Sequence, residues 1–74
     1  MKRSNAYWVE YRMIGENVKG IMVLASSKAD AYDKAVYDLI PEKEDGYPYS
    51  AWVASVTYQN GNYKRFNTFE GNPY

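Results

Sequence analysis

The 74-residue chain contains no cysteine and no histidine. Without cysteine there is no disulfide framework and no thiolate chemistry. Without histidine the commonest zinc ligand and the commonest general base are both missing. No run approaches the roughly 18 consecutive apolar residues of a membrane-spanning helix, so no membrane partner is expected. The opening MKRSNAYW carries two positive charges with no apolar stretch behind them, unlike a secretory signal, and cytoplasmic residence is the expectation. Net charge is absent as well, because nine basic and nine acidic side chains cancel. A chain without a strongly basic balance is not marked as a nucleic-acid binder. The catalytic templates fail in turn: no Ser-His-Asp or Cys-His set, no zinc spacing, no phosphate-cradling glycine loop. The carboxylates Glu42, Glu44 and Asp45 sit close together on an expected loop and read as a solvated charge run. A chain this short can hardly enclose the cleft a paired-carboxylate mechanism needs. The expectation is a protein that is not an enzyme and uses no cofactor or metal.

What the chain does have is aromatic mass: nine Tyr, two Trp and two Phe. Each buries roughly 150–250 Å² when packed, which offsets the small size of a core expected to supply only about 3–5 kcal/mol. The length allows one domain, residues 1–74. One stretch has a helical period, Ala25 to Pro41. Ser27 and Asp30 form a capping-box-like pair at its start. Ala29, Tyr32, Val36 and Leu39 or Ile40 make one apolar stripe. Pro41 predicts a stop at about Ile40, so the helix is expected over about 27–40. The charges are uneven: residues 1–27 balance to +2, residues 28–45 to −3 and the rest to +1.

Everything else reads as strand and turn. Ala6 to Ile14 alternates, with Tyr7, Val9, Tyr11 and Met13 on the expected core face. Trp8 is either a cross-strand packing residue or an exposed binding aromatic. After a turn at Gly15–Val18, Lys19 to Ala25 is nearly all apolar. A tight turn there sets Met22 opposite Tyr11 and Leu24 opposite Val9, which places Ile21 and Val23 on the other face with Glu10 and Arg12. Glu42 to Ser50 reads as a loop. Ala51 to Gln59 and Asn62 to Phe69 are two further strands joined by Asn60-Gly61, a type I′ hairpin signal. In the two-residue register Trp52, Ala54, Val56 and Tyr58 share a face with Tyr63 and Arg65. A bulged loop brings Lys64 and Phe66 to that face instead. The fold class is therefore α+β, ββαββ: a four-stranded antiparallel sheet with one helix packed on one face. The other face, with Trp8, Arg12, Ile21, Val23 and some of Val53, Thr57 and Phe66, is left partly uncovered and too apolar for water, so it dimerises or binds something.

Tyr, Trp and Arg dominate interface hot spots, and the tyrosines exceed what this core can use. The surplus falls on loops, giving the candidate partner-binding residues Tyr47, Tyr49, Tyr58, Tyr63, Arg65 and Tyr74. The segment VLASSKADAYDKA, Val23 to Ala35, resembles the strand-to-capped-helix module of small proteins from bacteriophages and integrative elements of Gram-positive bacteria. The ending FNTFEGNPY is similar in flavour. That resemblance implies an anti-CRISPR or other anti-defence protein, which would inhibit a host protein such as a defence nuclease or its complex by steric contact. The alternatives are a nucleic-acid or nucleotide binder, using sheet aromatics with Arg12, Lys19, Lys64 and Arg65, and a structural homo-oligomer such as a homodimer.

Overall fold

The computed structural model describes residues 4–66. Four strands, β1 (Asn5–Arg12), β2 (Lys19–Ala25), β3 (Ser50–Thr57) and β4 (Tyr63–Arg65), form one antiparallel sheet in the order β2-β1-β3-β4. A single helix, α1, spans 28–44 and lies across one face. The architecture is the α+β, ββαββ arrangement that the sequence predicts. Strand alternation sends Tyr7, Val9 and Tyr11 of β1 toward the helix, with Val23 and Ala25 of β2 and Ala51, Val53 and Val56 of β3. The helix meets them with Ala31, Ala35, Val36 and Ile40, all fully buried. Val36 is where the helical spacing puts it. Ala29, expected to head the stripe, is exposed, and Ala31 and Ala35 take its place. Four alanines at the contact let helix and sheet approach closely.

The helix does not stop at Ile40. From Lys34 to Leu39 it widens into a π-helical turn, and the Ile40 N–H donates to the Ala35 carbonyl five residues back. A regular α-helix would leave the carbonyl four residues before Pro41 without a donor and pressed by the ring. The widened turn shifts the ladder just ahead of the proline, which then enters the first turn of the segment Ile40–Glu44. An N–H is dispensable there. Glu42 to Glu44, expected as loop, is therefore helix. The chain leaves it through Asp45 in the left-handed region, φ 56°, and the N–H groups of Asp45 and Gly46 close back on the Pro41 carbonyl. At the other end Ser27 Oγ accepts from the Asp30 N–H at 3.1 Å. Asp30 reaches back one residue further than a capping box requires, accepting from the N–H of Ser26 at 3.2 Å.

Both hairpins depart from their simplest registers. In the first, Tyr7 pairs with Val23, Trp8 with Met22 and Val9 with Ile21. The connection is longer than the expected Gly15–Val18 turn: β1 ends at Arg12, and the Glu16 N–H closes on Met13. The pairing therefore slips by three residues, an odd number, which exchanges the faces of β2. Ile21 and Val23 face the helix, and Met22 and Leu24 face away, the reverse of the expectation. In the second hairpin the Tyr58 N–H donates to Asn62 and the Gly61 N–H to Tyr58. Only Gly61, φ 91°, is left-handed. The connection is thus a three-residue loop with a glycine bulge rather than a type I′ turn, and Val56 faces Lys64. Phe66 packs on the core edge, with the Lys28 and Lys64 ammoniums 4.9 and 5.7 Å from its ring centre. The predicted continuation of this strand to Phe69 lies outside the described residues. A bulge at Ala54 shifts the β1–β3 register between Trp8 and Val9. It puts Trp52 on the uncovered face while Val56 is in the core, so the single expected face for these two residues is split.

Polar ties join the end of the helix to the sheet. The Tyr11 hydroxyl donates to Glu44 Oε1 at 3.1 Å, and Lys19 Nζ lies 2.7 Å from Glu44 Oε2 and 3.0 Å from Glu16. Glu44 is thus committed to structure rather than part of a solvated run. The Lys19 ammonium, and after it the Tyr11 hydroxyl, hold the Glu44 carboxyl below its ordinary value of 4.5. The Ser26 N–H, then Lys34, hold Asp30 below 3.8. A carboxyl depressed in the folded state stabilises the fold above its unfolded pKa, and that contribution is lost as pH falls through the folded value. The fold is expected to lose urea resistance below about pH 4.5. In Glu44→Gln the gap between the midpoints at pH 6 and pH 3 should narrow. An unchanged gap would mean that Glu44 carries none of the acid sensitivity.

Candidate binding surface

The face of the sheet away from α1 has no covering element among the described residues. Its rows follow from the registers: Leu24, Ala6, Thr57 and Tyr63; then Met22, Trp8, Ser55 and Arg65; then Gly20, Glu10 and Trp52; then Arg12 and Ser50. Met22 is 53 % and Leu24 66 % exposed. The Trp8 indole folds over Gly20, so closely that a Cβ built on that glycine would lie 2.0 Å from Trp8 Cζ2. Gly20, the second residue of β2, is there because the ring occupies the space of its missing side chain. Glu10 stands between the two tryptophans. Its Oε1 accepts from Trp52 Nε1 at 2.9 Å and its Oε2 from Trp8 Nε1 at 3.4 Å. Each carboxylate oxygen is thereby given one indole N–H, which fixes both rings and the carboxylate in one patch. Glu10 has no ion pair with any described residue, and Arg12, on the same face one row on, does not reach it within 4 Å.

The edges of the sheet are less open to a partner than this face. β4 is three residues long, and at β2 the Lys34 ammonium donates to the Leu24 carbonyl at 3.3 Å. Short edges and lysines over edge carbonyls both discourage strand addition. The exposed side of α1 is acidic, with Asp33, Asp38 and Glu42, whereas the uncovered sheet face carries Arg12 and Arg65 at its borders. No helix among the described residues is long and apolar enough to cross a membrane.

The residues that sequence reasoning put forward fall into two groups at opposite ends of β3. Tyr63 and Arg65 are exposed on β4 and belong to the border of the uncovered face. Tyr58 precedes the hairpin loop beside them. Tyr47 and Tyr49 are half-exposed at the far end. The ring of Tyr47 meets Tyr37 edge-on with centroids 6.1 Å apart, and the Tyr49 N–H donates to the Arg12 carbonyl at 2.7 Å. The eight residues of β3 separate the groups by about 26 Å, so they do not make one compact site. Tyr74 lies outside the described residues. Glu10, Met22, Leu24 and Trp52 are not among the candidates that the sequence offers. The signal that points to them is a glycine inside an otherwise apolar strand, across from a strand that carries a tryptophan.

Comparison with protein-family models, with curated proteins and with solved structures finds no match for this chain. Its functional reading therefore rests on its own residues.

Proposed function

We propose that this chain is a binding protein without catalytic activity that acts by occupying a surface of another protein, through the uncovered sheet face. One observation carries the reading: on the sheet face away from α1, Met22 and Leu24 are exposed beside the half-buried indoles of Trp8 and Trp52, both pinned to Glu10. Fixed aromatic rings bordered by polar groups are the anatomy of an interface centre. Tyr63 and Arg65 extend the patch, and the other tyrosines form a second, separate surface. The likeness of Val23 to Ala35 to modules of phage and integrative-element proteins is what favours a host defence protein as the partner, inhibited sterically. A nucleic-acid ligand fits less well. Arg12 and Arg65 suit phosphates, but the Glu10 carboxylate at the centre of the aromatic platform repels them.

The test is affinity capture on immobilised protein from nuclease-treated bacterial lysate, run in parallel with Trp8→Ala and Met22→Ser. A protein retained by the wild type at both 50 and 300 mM salt, and lost from both folded variants, is the expected result. Retention that falls steeply with salt would point to nucleic acid. Retention unchanged in both variants would move the site off this face.

A further inference from the structure

Resting on that reading of the face, we infer that the Trp8–Glu10–Trp52 patch is a socket for a cationic side chain, and that the partner segment it takes presents an arginine flanked by apolar residues. The carboxylate is the reason. An ionised carboxylate has about four lone-pair positions. Two of them receive the indole N–H groups of Trp8 and Trp52. Both donors are neutral, so the negative charge of Glu10 is oriented but not balanced by any cation among the described residues. Covering the patch with an apolar surface alone would strip water from that charge and leave it unpaired, which is unfavourable. A partner that brings a cation removes that cost.

The surroundings favour guanidinium over other cations. The indoles flank the carboxylate, and planar guanidinium groups lie well on aromatic faces while donating to a carboxylate as a fork. Met22 and Leu24 beside them supply apolar contact for residues next to the arginine. Arg12 and Arg65 at the borders have the opposite effect on a polybasic segment. They disfavour additional positive charge, so the geometry selects a single arginine in an apolar setting. Gly20 contributes by letting Trp8 lie flat. Any side chain there would lift the ring from the position in which its N–H reaches Glu10.

Only two tryptophans are present in the whole chain, and the structure puts both in the socket, so their two indole N–H signals report on it directly. The peptide Ac-Leu-Ala-Arg-Ala-Leu-NH2 and its citrulline counterpart, which keeps the planar shape but has an oxygen in place of one guanidinium amino group and no charge, are titrated against the isotope-labelled protein. The expected result is that both indole signals move with the arginine peptide, at an affinity about tenfold above that of the citrulline peptide. Glu10→Gln, which retains an acceptor but not the charge, should abolish that preference. Equal shifts with both peptides would overturn the cation socket while leaving the face as a docking surface. Shifts with neither would overturn the socket, and the lysate capture above would then decide separately whether the face binds protein at all. An arginine preference that survives in Glu10→Gln would also overturn it, by placing the cation elsewhere.

Discussion

Ile40→Ala is expected to remove most of the stability of this fold. The side chain is fully buried, and truncating a buried isoleucine to alanine costs about 2–5 kcal/mol through lost burial and the cavity left behind. A core of this size supplies only about 3–5 kcal/mol in total, and a chain without cysteine has no disulfide to add to it. Relaxation around the site is restricted, because Ile40 is at the junction of the widened turn and the proline. Its N–H is held by Ala35, and Pro41 fixes the next backbone angle. Val36→Ala, one turn earlier, should cost less, about 1–3 kcal/mol. Urea denaturation followed by circular dichroism measures both. A loss below about 1 kcal/mol for Ile40→Ala would show that the second helical segment is not needed to close the core, and that Ala31 to Val36 suffice.

The fold is legible in the sequence because its strongest signals are local. Ser27 with Asp30, the spacing of Tyr32, Val36 and Ile40, and the alternation of Tyr7, Val9 and Tyr11 all depend on neighbours within a few positions, and those survive in the structure. What is not legible depends on non-local choices. The slip of the first hairpin is decided by which of Ile21/Val23 or Met22/Leu24 packs under α1, and an all-apolar strand carries no alternation to settle that. Pro41 is a genuine stop signal in a regular helix. It is overridden by a π-helical turn whose benefit, burying Ile40, is tertiary. The bulge at Ala54 reverses the direction of Trp52 relative to Val56 and is likewise set by pairing with β1. Two of these events, the slip and the bulge, assemble the uncovered face together with Gly20. The slip brings out Met22 and Leu24, the bulge brings out Trp52, and Gly20 receives the Trp8 ring. The candidate site was therefore hidden for the same reason that the registers were, whereas the tyrosines, conspicuous by number, drew attention to loops at both ends of β3.

Gly20→Ala is expected to disable the binding face while leaving the fold in place. A single methyl at this position would meet the Trp8 ring at 2.0, 2.4 and 2.8 Å, distances that no packed Cβ tolerates. The contacting atoms belong to a side chain at the surface, so the ring swings away rather than the strand distorting. Its N–H then loses Glu10, and the carboxylate keeps one indole donor in place of two. Alanine also suits an extended backbone better than glycine, which offsets part of the lost packing, and the net change in stability should stay within about 1 kcal/mol. Binding through the face should weaken by about 2 kcal/mol or more, as for a central interface residue. The clash itself is isolated by a double-mutant cycle with Trp8→Ala. In the wild-type background Gly20→Ala should red-shift the tryptophan emission and release the retained partner. In the Trp8→Ala background, with no ring to displace, it should be neutral or slightly stabilising. Equal and additive effects in the two backgrounds would show that the ring does not rest on Gly20 in solution, and the pinned-indole account of this face would then fail.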